Sequence, residues 1–269
     1  SGHFSASISS LEEVTAFSQA AQRFGAKAKL HAVADTGMGR MGAQSDSFRS
    51  LVAAIQASPH CLLEGIETHF PSADEDADFT SHQIESFAAL LETLKLEVPV
   101  EVHLGNSAGL LGFHEKTSFA TLTRPGLALY GISPVDQTSI ALEPALTLKS
   151  RITLVREIPQ GTSISYGRTF IAKPPMTVAT LGVGYGDGYP RHLSGKGTNV
   201  LIQGQRCPLL GRVTMDQIVV DVSHLEEAPK SGEEVILIGK QGAERITVEE
   251  MAEKGSEEHT SELQSLTNL

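Results

Sequence analysis

Lys29-Leu30-His31-Ala32-Val33-Ala34-Asp35-Thr36-Gly37-Met38-Gly39-Arg40-Met41-Gly42 is the stretch on which the fold turns. Its first half, to Asp35, reads as a short strand, and its second half is a turn punctuated by glycine. Beyond it Phe48, Leu51, Val52 and Ile55 recur at three- and four-residue steps, which predicts a helix closed off before Pro59. In front of it Ser10-Leu11-Glu12-Glu13 is a capping box, followed by Leu11, Val14, Phe17, Ala21 and Phe24 at helical spacing and by Gly25 as a stop. The alternation continues with Cys61 to Thr68 as a strand, Phe79 to Leu96 as a long helix, and Val98 to Leu104 as a strand. Leu122 to Tyr130 reads as a further strand running into a short helix. Strand, loop and helix in repetition imply parallel strands with right-handed crossovers, either an open doubly wound sheet or part of a (β/α) barrel.

The pattern changes near Leu142. From there short β-rich runs are broken by Gly and Pro: Leu146–Ile158, Met176–Val183, Asn199–Ile202, Cys207–Val213, Ile218–Val222 and Glu234–Ile238. These predict an antiparallel sheet or barrel. The expected organisation is an α/β domain over residues 1–140, a β domain over 141–254, and a polar, aperiodic tail over 255–269 that is disordered or foreign. The chain has 269 residues with 21 Lys and Arg against 32 Asp and Glu, a net charge of −11. That balance argues against nucleic-acid binding and against attraction to anionic lipid. No run approaches the ~18 apolar residues of a membrane span. Ser1-Gly2-His3-Phe4 lacks the character of a signal peptide. Cys61 and Cys207 are too few for a disulfide scaffold or a metal cluster. A cytoplasmic enzyme with no metal is the expectation.

Candidate chemistry clusters at the ends of predicted strands. Gly37, Gly39 and Gly42 form G-x-G-x-x-G, but the window Ile55–Leu62 lacks the acidic residue of a dinucleotide fold, so a tight strand-to-helix turn is the favoured reading. Arg40 in that turn suits a carboxylate, or a local salt bridge. His69 ends the next strand and is either a proton relay or an ordinary surface histidine. Ser107, in Asn106-Ser107-Ala108-Gly109, and Gly126-Leu127, after Arg124-Pro125, make a two-part phosphate cup, unless Ser107 is simply a helix cap. Later come Ser165-Tyr166-Gly167, Gly184-Tyr185-Gly186-Asp187-Gly188-Tyr189 and Gly211-Arg212-Val213-Thr214-Met215-Asp216-Gln217. Three of the four tyrosines lie in these glycine-flanked motifs and are expected to be exposed. Paired zinc-binding histidines and a G-x-S-x-G elbow are both missing from the sequence.

Taken in order, these motifs resemble the alanine racemase family, with Arg124-Pro125-Gly126-Leu127-Ala128-Leu129-Tyr130-Gly131 as their centre. The resemblance runs from about Ser9 to Met251. It implies the later part of a (β/α)8 barrel followed by a mainly antiparallel β domain, a head-to-tail homodimer, and pyridoxal 5'-phosphate (PLP). It implies that Ser107, Gly126 and Leu127 hold the cofactor phosphate. Arg124 would face the pyridine nitrogen, and His69 would lie beside the ring and link Arg124 to the catalytic tyrosine. Arg40 and Met215 would contact substrate, Tyr185 and Asp216 would line the entry and carboxylate region, and Tyr166, from the other subunit, would be a base in two-base interconversion of L- and D-alanine. That activity supplies peptidoglycan. The family's imine-forming lysine motif is not found here, which predicts that Ser1 enters roughly 100 residues into an ordinary barrel and that the chain alone is inactive. Val33 stands where the family often has a carbamylated lysine beside Arg40, which leaves broader amino-acid specificity open. The competing readings are a nicotinamide oxidoreductase built on the glycine turn and a non-enzymatic remnant that binds through the β domain.

Overall fold

Ser10 and Glu13 form the capping box that the sequence requires. The Ser10 hydroxyl accepts from the Glu13 amide at 3.2 Å, and the Glu13 carboxylate accepts from the Ser10 amide at 3.0 Å. Gly25, at φ 60°, ends that helix. The computed structural model describes residues 4–135 and 138–255. The chain divides into two compact units between Glu143 and Pro144.

The first unit runs β1 (Ser5–Ile8), α1 (Leu11–Arg23), β2 (Ala28–Val33), α2 (Ser45–Ala57), β3 (Cys61–Glu67), α3 (Ala77–Glu92), β4 (Glu101–His103) and α4 (Ser107–Phe113). The strands are parallel and lie in the order β1-β2-β3-β4. A doubly wound sheet reverses its strand order at a switch point; a sequential run without reversal is the pattern of a (β/α) barrel. Ile8, Leu30, Phe48, Ile55, Ile66 and Phe87 are fully buried between strands and helices. Each contributes about 1.5–3 kcal/mol through burial.

Three elements differ from the sequence reading. The helix from residue 77 stops at Glu92, where the Thr93 hydroxyl turns back to the Leu90 carbonyl. The strand from Val98 shrinks to Glu101–His103, since Pro99 has no amide to donate. The strand expected from Leu122 is reduced to one bridge, His103 to Leu122, before a 3-10 turn at Leu127–Tyr130. Pro125 again interrupts the ladder. Strand β1 carries no strong signal in the sequence.

The second unit comprises β5 (Leu148–Ile158), β6 (Ser163–Ile164), β7 (Phe170–Ile171), β8 (Met176–Leu181), β9 (Asn199–Ile202), β10 (Gln205–Leu210), β11 (Ile218–Asp221), β12 (Glu234–Gln241), β13 (Glu244–Ile246) and α5 (Val248–Gly255). The sheet order is β13-β12-β5-β8-β11-β10-β9, and β9 also pairs with β12. Every pairing in it is antiparallel. The β12–β9 pairing closes a ring of six strands, which removes two exposed edges. The β9–β10 hairpin turns through Gln203 and Gly204, both at positive φ, as a tight two-residue turn demands. Of the expected tail, Gly255 ends α5, and 256–269 lie outside the described residues. No helix among the described residues is long and apolar enough to cross a membrane.

Candidate active site

The glycine turn after β2 is folded on itself. The Asp35 carboxylate accepts from the amides of Gly37 and Gly39, each at 3.0 Å, and the Gly42 amide donates to the Ser9 hydroxyl at 2.9 Å. Gly42 is at φ 106°, and a Cβ there would lie 2.7 Å from the Asp35 nitrogen. The amides that a dinucleotide pyrophosphate would use are therefore engaged within the turn. Arg40 is exposed on this turn and has no hydrogen bond or ion pair among the described residues, so the local salt bridge considered for it does not form.

Arg124 is the hub of the carboxyl ends of β3 and β4. One terminal nitrogen donates to the Thr68 carbonyl at 2.6 Å and meets His69 Nδ1 at 3.2 Å. The other donates to His103 Nδ1 and lies 3.3 Å from a Glu67 carboxylate oxygen. The Arg124 backbone is held by its amide bond to Gly105 at 2.8 Å. His103 in turn meets His31 Nδ1 through Nε2 at 2.7 Å, and His31 Nε2 lies 3.4 Å from Glu64, which also pairs with Lys29 at 2.6 Å. With His103 Nδ1 as acceptor, the proton sits on Nε2 and both imidazoles point their donors away from Arg124. Gly65 makes this possible: it lies opposite His31 in the β2–β3 register, and a Cβ there would strike the His31 ring.

Burial holds His103 down at about 4, with the nearby positive charge of Arg124 adding to the shift and Glu67 opposing it. His69 is lowered too, first by burial and then by the charges of Arg124 and Arg40. Burial also works against the Arg124 charge, and Glu67 supports it. Both histidines are thus neutral at pH 7. Arg40, Glu67, His69 and Arg124 line one cavity of about 250 Å³, together with Ser7 and Val33.

Ser107 is buried at the start of α4, behind Asn106, whose side chain caps the helix by accepting from the Gly109 amide at 2.9 Å. The Ser107 hydroxyl accepts from the amides of Gly126 at 2.8 Å and Ala128 at 3.2 Å. The structure therefore brings Ser107, Gly126 and Leu127 to one point, and Asn106 rather than Ser107 is the helix cap. A Cβ on Gly126 would meet nothing within 4 Å, so the space beside its Cα is open, while its amide is engaged by the Ser107 hydroxyl.

In the second unit Tyr166 is 68% exposed on a strained turn. Ser165, Gly167 and Arg168 around it have φ of 63°, 73° and 51°. Ser165 and Arg168 are non-glycine residues in a left-handed region that costs of order 1–3 kcal/mol each. The Ser165 hydroxyl donates to the Arg212 carbonyl at 2.6 Å, and Gly167 leaves room for the Arg212 guanidinium. The Tyr185 and Gly186 amides donate to the carbonyls of Thr214 at 2.9 Å and Met215 at 2.8 Å. Tyr185, Met215 and Asp216 are exposed side by side on this loop pair. Tyr189 corrects the expectation of exposed tyrosines: it is 1% exposed, and its hydroxyl has no partner among the described residues. Sequence reasoning missed Glu67, His103 and His31. Each is an ordinary residue inside a strand, and only the strand register shows that Glu67 and His103 meet Arg124 and that His31 backs His103.

A sequential parallel sheet with charged and neutral nitrogen groups at its carboxyl ends, and the Ser107–Gly126 turn, has the layout of a (β/α) barrel with its polar groups gathered at the carboxyl ends of the strands. The chain matches the family models for the alanine racemase N-terminal domain over residues 1–134 and the alanine racemase C-terminal domain over residues 145–268. It belongs to the alanine racemase family. It is 39% identical over 249 residues to the alanine racemase of Halothermothrix orenii, covering 90% of this chain and 64% of that protein. The crystal structure of alanine racemase from E. faecalis superposes with a TM-score of 0.86 at 34% identity, over 97% of this chain and 70% of that one. Alanine racemase from Bartonella henselae with covalently bound pyridoxal phosphate gives 0.82 at 26% identity, over 97% and 70%. Histidine racemase from Leuconostoc mesenteroides subsp. sake gives 0.87 at 27% identity, over 96% and 69%. The chain thus spans under two thirds of the length of the curated relative.

Proposed function

We propose that this chain carries the PLP-binding and substrate-binding residues of an alanine racemase, acting in the cytoplasm as a homodimer. The residues present suit the cofactor. Ser107, Gly126 and Leu127 gather at one turn with open space beside the Gly126 Cα, and a phosphate there would take over the Gly126 and Ala128 amides that donate to the Ser107 hydroxyl. When bound, PLP supplies an electron sink that acidifies the Cα–H of an amino acid. Arg124 would present a permanent cation to the pyridine nitrogen and disfavour its protonation. His69, neutral and bonded to Arg124, would lie beside the ring. Arg40, exposed and unpaired among the described residues, would take the substrate carboxylate.

Tyr166 from a second copy would remove or return the Cα proton, with Met215, Tyr185 and Asp216 lining the approach. A phenol is a weak acid, so this step requires a neighbour such as His69 to accept or relay the proton. The strained turn around Tyr166 supports this role, since strain of that kind persists where a surrounding fold enforces it. Two buried free thiols, Cys61 and Cys207, are compatible with a reducing compartment. The likeness to a histidine racemase favours keeping amino acids other than alanine as substrates.

The observation that carries the reading is the Arg124 hub beside the Ser107–Gly126 cup. The test is a PLP titration of the full chain by fluorescence, with racemisation of L-alanine followed by a D-amino-acid oxidase assay after adding a separately made N-terminal racemase segment. Saturable PLP binding weakened by Ser107→Ala, and restored racemisation abolished by Tyr166→Phe, are expected. PLP binding indifferent to both Ser107→Ala and Arg124→Ala would refute it.

A further inference from the structure

We infer that Glu67 is a positioning residue for Arg124: its buried carboxylate fixes the direction in which the guanidinium enters the cavity. For the identity of the ligand that Arg124 meets, this rests on the PLP reading above. Glu67 is 8% exposed and is the one buried carboxylate among the described residues. It pairs with Val33 on one side and His103 on the other across the parallel sheet, so the three side chains stand in one row on one face. Val33 offers no polar atom. The charged or polar neighbours of the carboxylate are therefore on the β4 side: Arg124 at 3.3 Å and His103 Nδ1 at 3.3 Å. His103 already spends Nδ1 on Arg124 and Nε2 on His31. The guanidinium is thus the cation that compensates Glu67, and neither charge is cheaply left alone in this setting.

The grip is two-sided. Thr68 and His69 hold one terminal nitrogen of Arg124, while Glu67 and His103 hold the other. Contacts at both ends of a planar fork set its plane as well as its position. Without Glu67 one side would rest on a neutral imidazole alone.

The experiment uses the full chain as Glu67→Gln and Glu67→Asp, checked for cooperative unfolding, with 15N NMR of the Arg124 guanidinium and the His69 ring. In Glu67→Gln, solvent exchange of the Arg124 N–H groups should quicken about tenfold, the size expected from losing one charge-assisted partner. The His69 titration midpoint should fall, because the carboxylate that balances Arg124 and Arg40 is gone. Glu67→Asp, with the charge kept on a shorter arm, should quicken exchange by a smaller but measurable factor and keep the His69 midpoint near the parent's. Unchanged exchange and an unchanged His69 midpoint in folded Glu67→Gln would overturn the proposal. If that variant does not fold, Glu67→Asp decides: the shorter carboxylate should still quicken exchange measurably, and no change would count against the role. PLP affinity should also drop about tenfold in Glu67→Gln. Failure of the unsubstituted chain to bind PLP would sink the PLP reading, while the NMR comparison would still judge Glu67.

Discussion

Acidification from pH 7 to pH 4.5 should destabilise this protein through its buried histidines before its carboxylates matter. His103 is 5% exposed, accepts from Arg124 through Nδ1 and faces His31 through Nε2. A second proton would have to displace the Arg124 bond and place a new cation beside a fixed one. Its folded value is held at about 4 against an ordinary 6.5. As pH falls below 6.5 the unfolded chain takes this proton first. The stability gained by keeping His103 neutral is complete above 6.5 and gone by 4. The difference spans roughly two and a half pH units at ~1.4 kcal/mol each, so about 3 kcal/mol is lost over that window. His69, lowered by burial, adds to the loss in the same direction. Glu64 is held down at about 2 by its hydrogen bond to Lys29, so its contribution fades only below its ordinary 4.5. Urea unfolding at half-unit steps from pH 7.5 to 4.5 should give a slope that steepens below 6.5. His103→Gln can accept from Arg124 and donate to His31 without titrating, and its slope should be smaller by up to one proton. A folded His103→Gln chain with the parent's slope would show that the reasoning about His103 is wrong.

Three substitutions test the packing. Tyr189→Phe removes a buried hydroxyl with no partner among the described residues, so thermal unfolding should be unchanged or the protein more stable by about 1 kcal/mol; a clear loss would reveal a partner for that hydroxyl. Gly65→Ala forces a methyl against the His31 ring and should cost about 1–3 kcal/mol, with a shifted His31 imidazole signal as the local check. Ser10→Ala leaves the Glu13 amide uncapped and should cost about 1 kcal/mol, read by faster hydrogen exchange in the first turn of α1.

What the sequence made legible was local chemistry. The capping box, the helical periodicities of α1 and α2, and most strands of the β unit depend on neighbours within a few residues, and they stand where the pattern places them. The glycine turn was readable for the same reason, because Asp35 closes it on residues two and four positions ahead. Long-range pairing was not readable. A barrel and a doubly wound sheet share one alternation of strand and helix, and only the order β1-β2-β3-β4 separates them. Proline placement shortened β4 and reduced the next strand to a bridge, a backbone effect stronger than the apolar run around it. Arg124, His69, Ser107, Gly126 and Leu127 stand in motifs, which is why the sequence singles them out. Glu67 and His103 belong to the same cluster but sit inside strands, where alternation alone says only which face they occupy.

The register also shows how two strand irregularities serve one site. Between Leu30 and His31 the β2–β3 pairing slips by one residue, so that His31 faces Gly65 and not Glu64. A side chain opposite His31 would close the space its ring occupies, and without the ring His103 would have no acceptor for its Nε2 proton. His103 would then be free to turn over and offer Arg124 a donor, which a guanidinium cannot accept. The bulge and the glycine are therefore electrostatic devices as much as packing ones: they fix the tautomer of His103 through the His31 ring. By this argument, a change at Gly65 should alter how Arg124 is held even though the two make no direct contact. Its effect on the Arg124 N–H exchange should match in direction the effect of removing Glu67.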